Sequence, residues 1–120
     1  MQISEVESQL GIDRETVRYY ISLGLLDTER NKYGHRVYAK EDVTRLKRIL
    51  LLREMDFSLD EIGEIINGRA NLTSEILTSK KEIIEKELAR INHAISVCSD
   101  LIASDADINF DPEPYFQQRF

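Results

Sequence analysis

The sequence has one cysteine, two prolines and no tryptophan among its 120 residues. A single thiol, Cys98, excludes an internal disulfide and is typical of a reducing compartment, so we expect a cytoplasmic protein. No apolar run approaches the roughly 20 residues of a membrane-spanning helix, and the first residues lack the pattern of a signal peptide. We therefore expect no membrane partner, and the scarcity of proline favours a mainly helical fold.

Catalytic constellations are also missing from the sequence. Serine, histidine and aspartate are scattered, no glycine-rich phosphate loop is present, and no pair of carboxylates falls in a predicted pocket. His93 and Cys98 are five residues apart, about 140° around a helix, so one helix cannot present both to the same metal ion, although two helices of a dimer could. We predict no enzymatic activity, no cofactor and no metal site.

The net charge of −6 at first argues against a nucleic-acid partner, but the charge is unevenly distributed. Residues 14–53 contain ten basic and five acidic residues, which leaves +5 for this window and −11 for the remainder. One face of the protein can therefore be basic while the rest is acidic, which disfavours indiscriminate DNA binding. The alternative is a mixed, solvated surface.

The first 22 residues predict two short helices joined by a glycine-containing turn. Ser4 and Glu7 have the spacing of a capping box, Gly11 ends the first helix, and Asp13 is a good N-cap for the second. Such a pair forms a helix-turn-helix, whose second helix enters the major groove with its N-terminal residues nearest the bases. The alternative is a small helical hairpin with exposed arginines.

Basic and aromatic side chains alternate along the second helix, and this combination suits contact with DNA bases and phosphates. The candidate contacts in this helix are Arg14, Glu15, Thr16, Arg18, Tyr19 and Tyr20. Tyr20 also shares a face with Val17 and Ile21, which we expect to pack on the first helix.

A β-hairpin is predicted after the second helix, because residues 28–39 lack helical periodicity. Asn31–Gly34 would form its tip, although the sequence is not an ideal two-residue turn. Lys32, Arg36 and Tyr38 could reach phosphates or an adjacent minor groove from this wing. The alternative is a loop that only connects two helices.

Two further helices are predicted to complete the first domain. One begins near Glu41, and its expected buried residues are Val43, Leu46, Leu50 and Met55. The other begins with a capping box formed by Ser58 and Glu61, after Phe57.

Apolar residues then recur at alternating spacings of four and three over about four heptads. The members of this seam are Leu77, Ile84, Leu88, Ile91, Ile95, Cys98 and Ile102, with Lys81 as an interruption. A narrow seam of this kind requires another helix, and we expect that helix to come from a second copy of the chain. The spacing does not fix the direction of the pairing, and the alternative is a helix folded back on its own domain.

An ordered series of short motifs resembles the MerR family of bacterial transcription regulators. The motifs are Val17-Arg18-Tyr19-Tyr20, Gly24-Leu25-Leu26, Gly34-His35-Arg36-Val37-Tyr38, Asp42-Val43 with Leu46, and Phe57-Ser58-Leu59-Asp60-Glu61-Ile62. The resemblance implies a winged helix-turn-helix domain and a homodimer joined by an antiparallel coiled coil. It also implies that the dimer bends and untwists a promoter spacer, so that RNA polymerase, an indirect partner, engages both promoter elements. By position, Arg18, Tyr19 and Tyr20 would be recognition-helix contacts, and Arg36 and Tyr38 wing contacts.

The sequence departs from known sensors of this family. Metal-sensing relatives carry at least two cysteines beyond the dimerisation helix, and this chain has none there; it also lacks the large ligand domain of multidrug sensors. His35 stands where tyrosine or phenylalanine is commoner. The effector, if one exists, stays unidentified by the sequence.

We therefore predict a mainly α protein with three parts. Residues 1–70 form a winged helix-turn-helix DNA-binding domain, residues 71–104 a dimerisation helix, and residues 105–120 a tail. The tail contains Phe110, Tyr115, Phe116 and Phe120, which we expect to dock on the dimer. The predicted function is sequence-specific regulation of transcription from a palindromic promoter site; the alternative is an architectural protein that bends DNA.

Overall fold

A computed structural model describes residues 1–116, and the chain is mainly helical as predicted. The elements in chain order are α1 (Ile3–Leu10), α2 (Arg14–Ser22), β1 (Glu29–Arg30), β2 (Arg36–Val37), α3 (Lys40–Glu54), α4 (Leu59–Ile66), α5 (Ser74–Ala103) and α6 (Glu113–Phe116). They fall into two compact units, the first from Met1 to Thr73 and the second from Ser74 onward. The first unit contains the helix-turn-helix, the wing, α3 and α4.

The core of the first unit takes side chains from α1 to α4 and from the segments between them. Its buried apolar residues are Val6, Ile12, Val17, Tyr20, Leu25, Leu26, Tyr38, Val43, Leu46, Ile49, Leu52, Phe57 and Ile62. In α3 the buried face therefore includes Ile49 and Leu52, whereas the predicted Leu50 and Met55 are only partly buried. After Leu46, the residues of α3 that lie in the core are three positions apart rather than four.

Local capping explains where α1 and α2 begin and end. The predicted capping box of Ser4 and Glu7 is wrong: Gln2 is the N-cap of α1, and no side chain bonds to the helix start. Gly11 ends α1 as predicted, with φ of 64° in the left-handed region that glycine tolerates. Asp13 caps α2, since its Oδ1 accepts hydrogen bonds from the Thr16 backbone N (2.8 Å) and hydroxyl (3.0 Å).

The wing is a short antiparallel hairpin, as predicted, in which Glu29 pairs with Val37 and Arg30 with Arg36. Its tip is held by Asn31, whose Oδ1 accepts hydrogen bonds from the backbone N atoms of Tyr33 (2.9 Å) and His35 (3.1 Å). An asparagine that satisfies two loop amides replaces the two-residue turn that the sequence lacks.

A single arginine of α3 joins three parts of the first unit. The Arg45 guanidinium donates to the backbone O of Leu25 (2.6 Å), to the backbone O of Ile66 (3.3 Å) and to Oδ1 of Asn67 (2.7 Å). These acceptors lie after α2 and at the end of α4, so Arg45 fixes α3 between both.

The predicted capping box of Ser58 and Glu61 at the start of α4 is confirmed.

We expect Leu46→Ala to lower the free energy of unfolding by about 2–5 kcal/mol, because Leu46 is fully buried and its truncation leaves a cavity. Leu51→Ala, in the same helix, is the matched control, since Leu51 is 57% exposed and the change should cost about 0.5 kcal/mol or less. Urea unfolding followed by circular dichroism at one protein concentration measures both. Equal losses would contradict the assignment of the core.

The second unit consists of α5, a 30-residue helix without a buried residue, followed by the short α6. Its seam residues are exposed, among them Leu88 (55%), Ile95 (57%) and Ile102 (79%). Of the tail aromatics, Phe110 and Phe116 are exposed and Tyr115 is partly buried, while Phe120 lies outside the described residues. Within residues 1–116, no helix combines the length and the apolar character needed to cross a membrane.

Candidate nucleic-acid interface

An open cleft of about 730 Å³ lies between the start of α1, one face of α2 and the wing. Four arginines line it: Arg14 and Arg18 from α2, and Arg30 and Arg36 from the two paired strands. His35 and Tyr38 also line the cleft. The first unit therefore brings its recognition helix and its wing together around one cationic surface.

Arg14 is held by a carboxylate of α1. Its backbone N donates to Oε2 of Glu7 (3.0 Å), and its Nε (3.1 Å) and Nη2 (2.7 Å) both donate to Oε1 of Glu7. These hydrogen bonds lower the pKa of the Glu7 carboxyl and raise that of the Arg14 guanidinium. The predicted DNA contact thus lies in the cleft with its charge already paired.

The other polar candidates of α2 differ in their surroundings. Arg18 pairs with Glu15 at 2.5 Å, and both side chains are well exposed, 63% and 75%. Tyr19 is 52% exposed. The Thr16 hydroxyl donates to Asp13 and serves the helix cap. Arg18 and Tyr19 are therefore accessible to a ligand, whereas Thr16 has a local structural role.

Two of the predicted contacts are buried in the first unit. Tyr20 is 6% and Tyr38 4% exposed, and both rings belong to the core. Burial also raises the pKa of the Tyr38 phenol, and the backbone N of Tyr38 donates to the backbone O of Met1 at 2.7 Å. An aromatic residue with a polar tip suits both a core and an interface, and here packing decides. Both rings support the interface from the core, and their contact with DNA stays a prediction.

The wing arginines bond to neutral acceptors. Nη1 of Arg36 donates to the backbone O (3.2 Å) and hydroxyl (3.0 Å) of the buried Thr28. Nη1 of Arg30 donates to the backbone O of Gly34 at 2.6 Å. Among residues 1–116 neither guanidinium has a carboxylate within ion-pair distance, and both stand in the cleft.

Sequence reasoning missed Arg30, although the strand register could have revealed it as the cross-strand neighbour of Arg36. Tyr33, which belongs to the basic and aromatic cluster of the wing, is 72% exposed at the wing tip, with Lys32 Nζ at 5.1 Å from its ring centroid. Thr16, Tyr19 and Lys32 do not line the cleft. Among residues 1–116, no three histidine, cysteine or acidic side chains are grouped so that they could hold a metal ion.

The Glu7–Arg14 pair predicts a pH dependence of stability. The pKa of Glu7 is lowered from its ordinary value of 4.5 in the folded state, so its ionised form stabilises the fold above pH 4.5. This contribution is expected to disappear as the pH falls from 4.5 through the lowered pKa. Denaturation at stepwise pH should show the stability difference between wild type and Glu7→Gln narrowing in that range. The stability difference between wild type and Arg14→Gln should narrow over the same pH range. A difference in stability that does not change with pH would contradict the pairing.

A helix-turn-helix followed by a hairpin wing, with arginines on both, places the first unit in the class of winged helix-turn-helix domains. A family model described as "MerR HTH family regulatory protein" matches residues 1–69, and another, "MerR, DNA binding", matches residues 43–102. The chain therefore belongs to the MerR family, as its sequence motifs predicted.

Individual relatives agree with this assignment. The chain is 30% identical over 117 residues to the HTH-type transcriptional activator TipA of Streptomyces coelicolor, which covers 96% of this chain and 46% of TipA. It resembles the crystal structure of a MerR-family transcriptional regulator from Bacillus cereus, with a TM-score of 0.79, 26% identity, and coverage of 98% of this chain and 91% of that one.

A third likeness concerns the fold alone. HiNmlR, described as a MerR family regulator lacking the sensor domain and bound to promoter DNA, matches with a TM-score of 0.64 and 21% identity. The match covers 86% of this chain and 83% of HiNmlR. The chain spans less than half the length of several curated relatives that it matches.

Proposed function

We propose that this chain is a dimeric transcription regulator that binds a palindromic promoter site. The observation that carries the proposal is the cleft in which Arg14 and Arg18 of α2 face the same opening as Arg30 and Arg36 of the wing. A recognition helix in the major groove reads base edges, while a wing beside it holds the phosphate backbone. Membership of the MerR family supports this division of roles.

The apolar residues of α5 support a dimer. They repeat at heptad spacing along a 30-residue helix and are exposed, which is costly for a helix that stays alone in water. We propose that residues 71–104 form a coiled coil with a second copy, in the antiparallel orientation that the family resemblance implies. Two-fold symmetry would then present two first units to half-sites about 34–36 Å, or a multiple, apart.

Regulation would act through DNA deformation. Bending a site of this size costs on the order of 1–6 kcal/mol, which contacts from both units must offset. The dimer would thereby bring the promoter elements into register for RNA polymerase, without needing to contact it. We also propose that residues 105–120 are the part open to an effector, and that the protein acts in the cytoplasm, where promoter DNA lies.

The test is selection of binding sites from a randomised duplex pool, followed by mapping of sites on genomic DNA. A regulator is expected to select one palindrome and to occupy it between promoter elements. Dispersed or helically phased sites without a shared palindrome would favour an architectural DNA-bending protein instead. The descriptions of TipA as a transcriptional activator and of the Bacillus cereus protein as a transcriptional regulator support the regulator over this alternative.

A further inference from the structure

The four arginines of the cleft are of two kinds. Arg14 and Arg18 are each paired with a carboxylate, so the α2 side of the cleft is close to neutral. Arg30 and Arg36 bond to uncharged oxygens and retain their full charge. The protein therefore presents free positive charge from its wing and compensated charge from its recognition helix.

The two carboxylate pairs also differ from each other. Glu15 and Arg18 are neighbours three residues apart on one helix, joined by one hydrogen bond and largely exposed, so water and salt readily separate them. Glu7 belongs to α1 and accepts three hydrogen bonds from Arg14, and only 27% of its side chain is exposed. The Glu7–Arg14 pair is therefore the better anchored, and it links both helices of the helix-turn-helix.

We propose that Glu7 is a specificity-determining residue, which restrains and neutralises Arg14 and thereby raises the ratio of sequence-specific to non-specific DNA affinity. This inference rests on the proposed function. A guanidinium has five N–H donors, and Glu7 engages donors on Nε and Nη2. The remaining donors stay available to a base acceptor, and they are held in one orientation.

The energetic argument follows from how DNA is bound. Non-specific affinity depends on the number of phosphates that cations neutralise, and a paired arginine contributes little to it. A carboxylate beside the duplex additionally repels phosphates. A base contact depends instead on fixed geometry, because bidentate pairing with a base edge tolerates little misalignment. Glu7 therefore weakens binding to any sequence while leaving the matching contact in place.

The experiment compares wild type and Glu7→Gln, each as the full chain, on a duplex selected by the wild-type protein and on a scrambled duplex of the same composition. Glu7→Gln is expected to bind the scrambled duplex about three- to tenfold more tightly at 50 mM salt, with a salt slope steeper by about 0.9. Affinity for the selected duplex should rise less or fall. The ratio of the affinity for the selected duplex to that for the scrambled duplex should therefore decrease, by at least threefold where affinity for the selected duplex does not rise.

Two controls isolate the Glu7–Arg14 contact. Glu87→Gln removes the same charge from a similar pair, in which Nη2 of Arg90 donates to Oε1 of Glu87 at 2.5 Å in α5, and it should leave the ratio unchanged. In an Arg14→Gln background, Glu7→Gln should no longer change the ratio, because the residue it acts through is gone. Circular dichroism establishes that each variant is folded. Should Glu7→Gln unfold, Glu7→Asp keeps the charge but shortens the reach, and it should lower the ratio without steepening the salt slope.

The outcomes separate this inference from the proposed function. Failure of the wild-type protein to prefer any selected duplex would overturn the proposed function, and this inference with it. A clear preference in wild type, together with an unchanged or raised ratio in Glu7→Gln, would overturn only the role of Glu7. The same fall in Glu87→Gln would also overturn it, since the effect would then reflect total charge.

Discussion

Leu88→Lys is expected to convert the protein to a monomer at micromolar concentration and to weaken binding of a palindromic duplex more than 100-fold. Leu88 lies in the middle of the α5 seam, and in a dimer the substitution introduces two charges into an apolar interface. A monomer loses the gain in affinity that comes from binding two half-sites at once, which is typically 10²- to 10⁴-fold. Sedimentation velocity and DNA-binding titrations measure the two effects.

Ala89→Lys is the matched control for this experiment. It adds the same charge to the adjacent residue of the same helix, on a position outside the seam. It should stay dimeric and bind the palindrome as wild type does. A dimeric Leu88→Lys variant would show that α5 pairs through another face or does not pair at all.

Arg18→Ala should weaken binding to the selected site by about 1–3 kcal/mol, roughly 5- to 150-fold, and leave the dimer intact. Arg18 is 63% exposed in the cleft and is joined to Glu15 only through a solvated pair, so its guanidinium can turn to a base edge. A scrambled duplex should be affected much less. Fluorescence anisotropy with both duplexes measures the difference.

Arg36→Ala is expected to behave differently, because the Arg36 guanidinium lies in the wing and should contact phosphate. This variant should weaken selected and scrambled duplexes alike and make the salt dependence shallower by about 0.9 per lost contact. Equal losses on both duplexes for Arg18→Ala would move Arg18 from base recognition to backbone contact. A loss confined to the selected duplex for Arg36→Ala would assign it the opposite role.

The elements of the first unit were predictable because local chemistry fixes their ends. Gly11 and Asp13 act through the backbone of their immediate neighbours, and the Ser58 capping box acts within one turn. Glu7 shows the limit of that reasoning. Its spacing from Ser4 suited a local cap, but the crossing of α1 and α2 offers it Arg14, with three donors and a charge. Such a choice depends on tertiary geometry that spacing alone does not encode.

The candidate site was predictable only in part for a related reason. Sequence patterns indicated which residues suit DNA, and the face that Tyr20 shares with Val17 and Ile21 indicated that its ring packs in the core, but no pattern indicated the burial of Tyr38. Arg30 was missed because a two-residue strand leaves no alternating pattern, although pairing with β2 places it beside Arg36. The orientation of the α5 pairing and the three-part division of the chain stay predictions.

The hydrogen bonds of Arg45 have a mechanical consequence for the proposed bending of DNA. A bent duplex would exert a restoring force on α2 and the wing, and the rest of the first unit would have to bear it. The guanidinium of Arg45, which belongs to α3, is hydrogen-bonded to the segment after α2 and to the end of α4. These three parts would therefore resist displacement relative to one another. A lysine at position 45 would have a single ammonium group in place of the planar guanidinium, and it could not donate to all three acceptors in the same geometry. The stiffness of the first unit, as well as its affinity for DNA, would then depend on the Arg45 side chain.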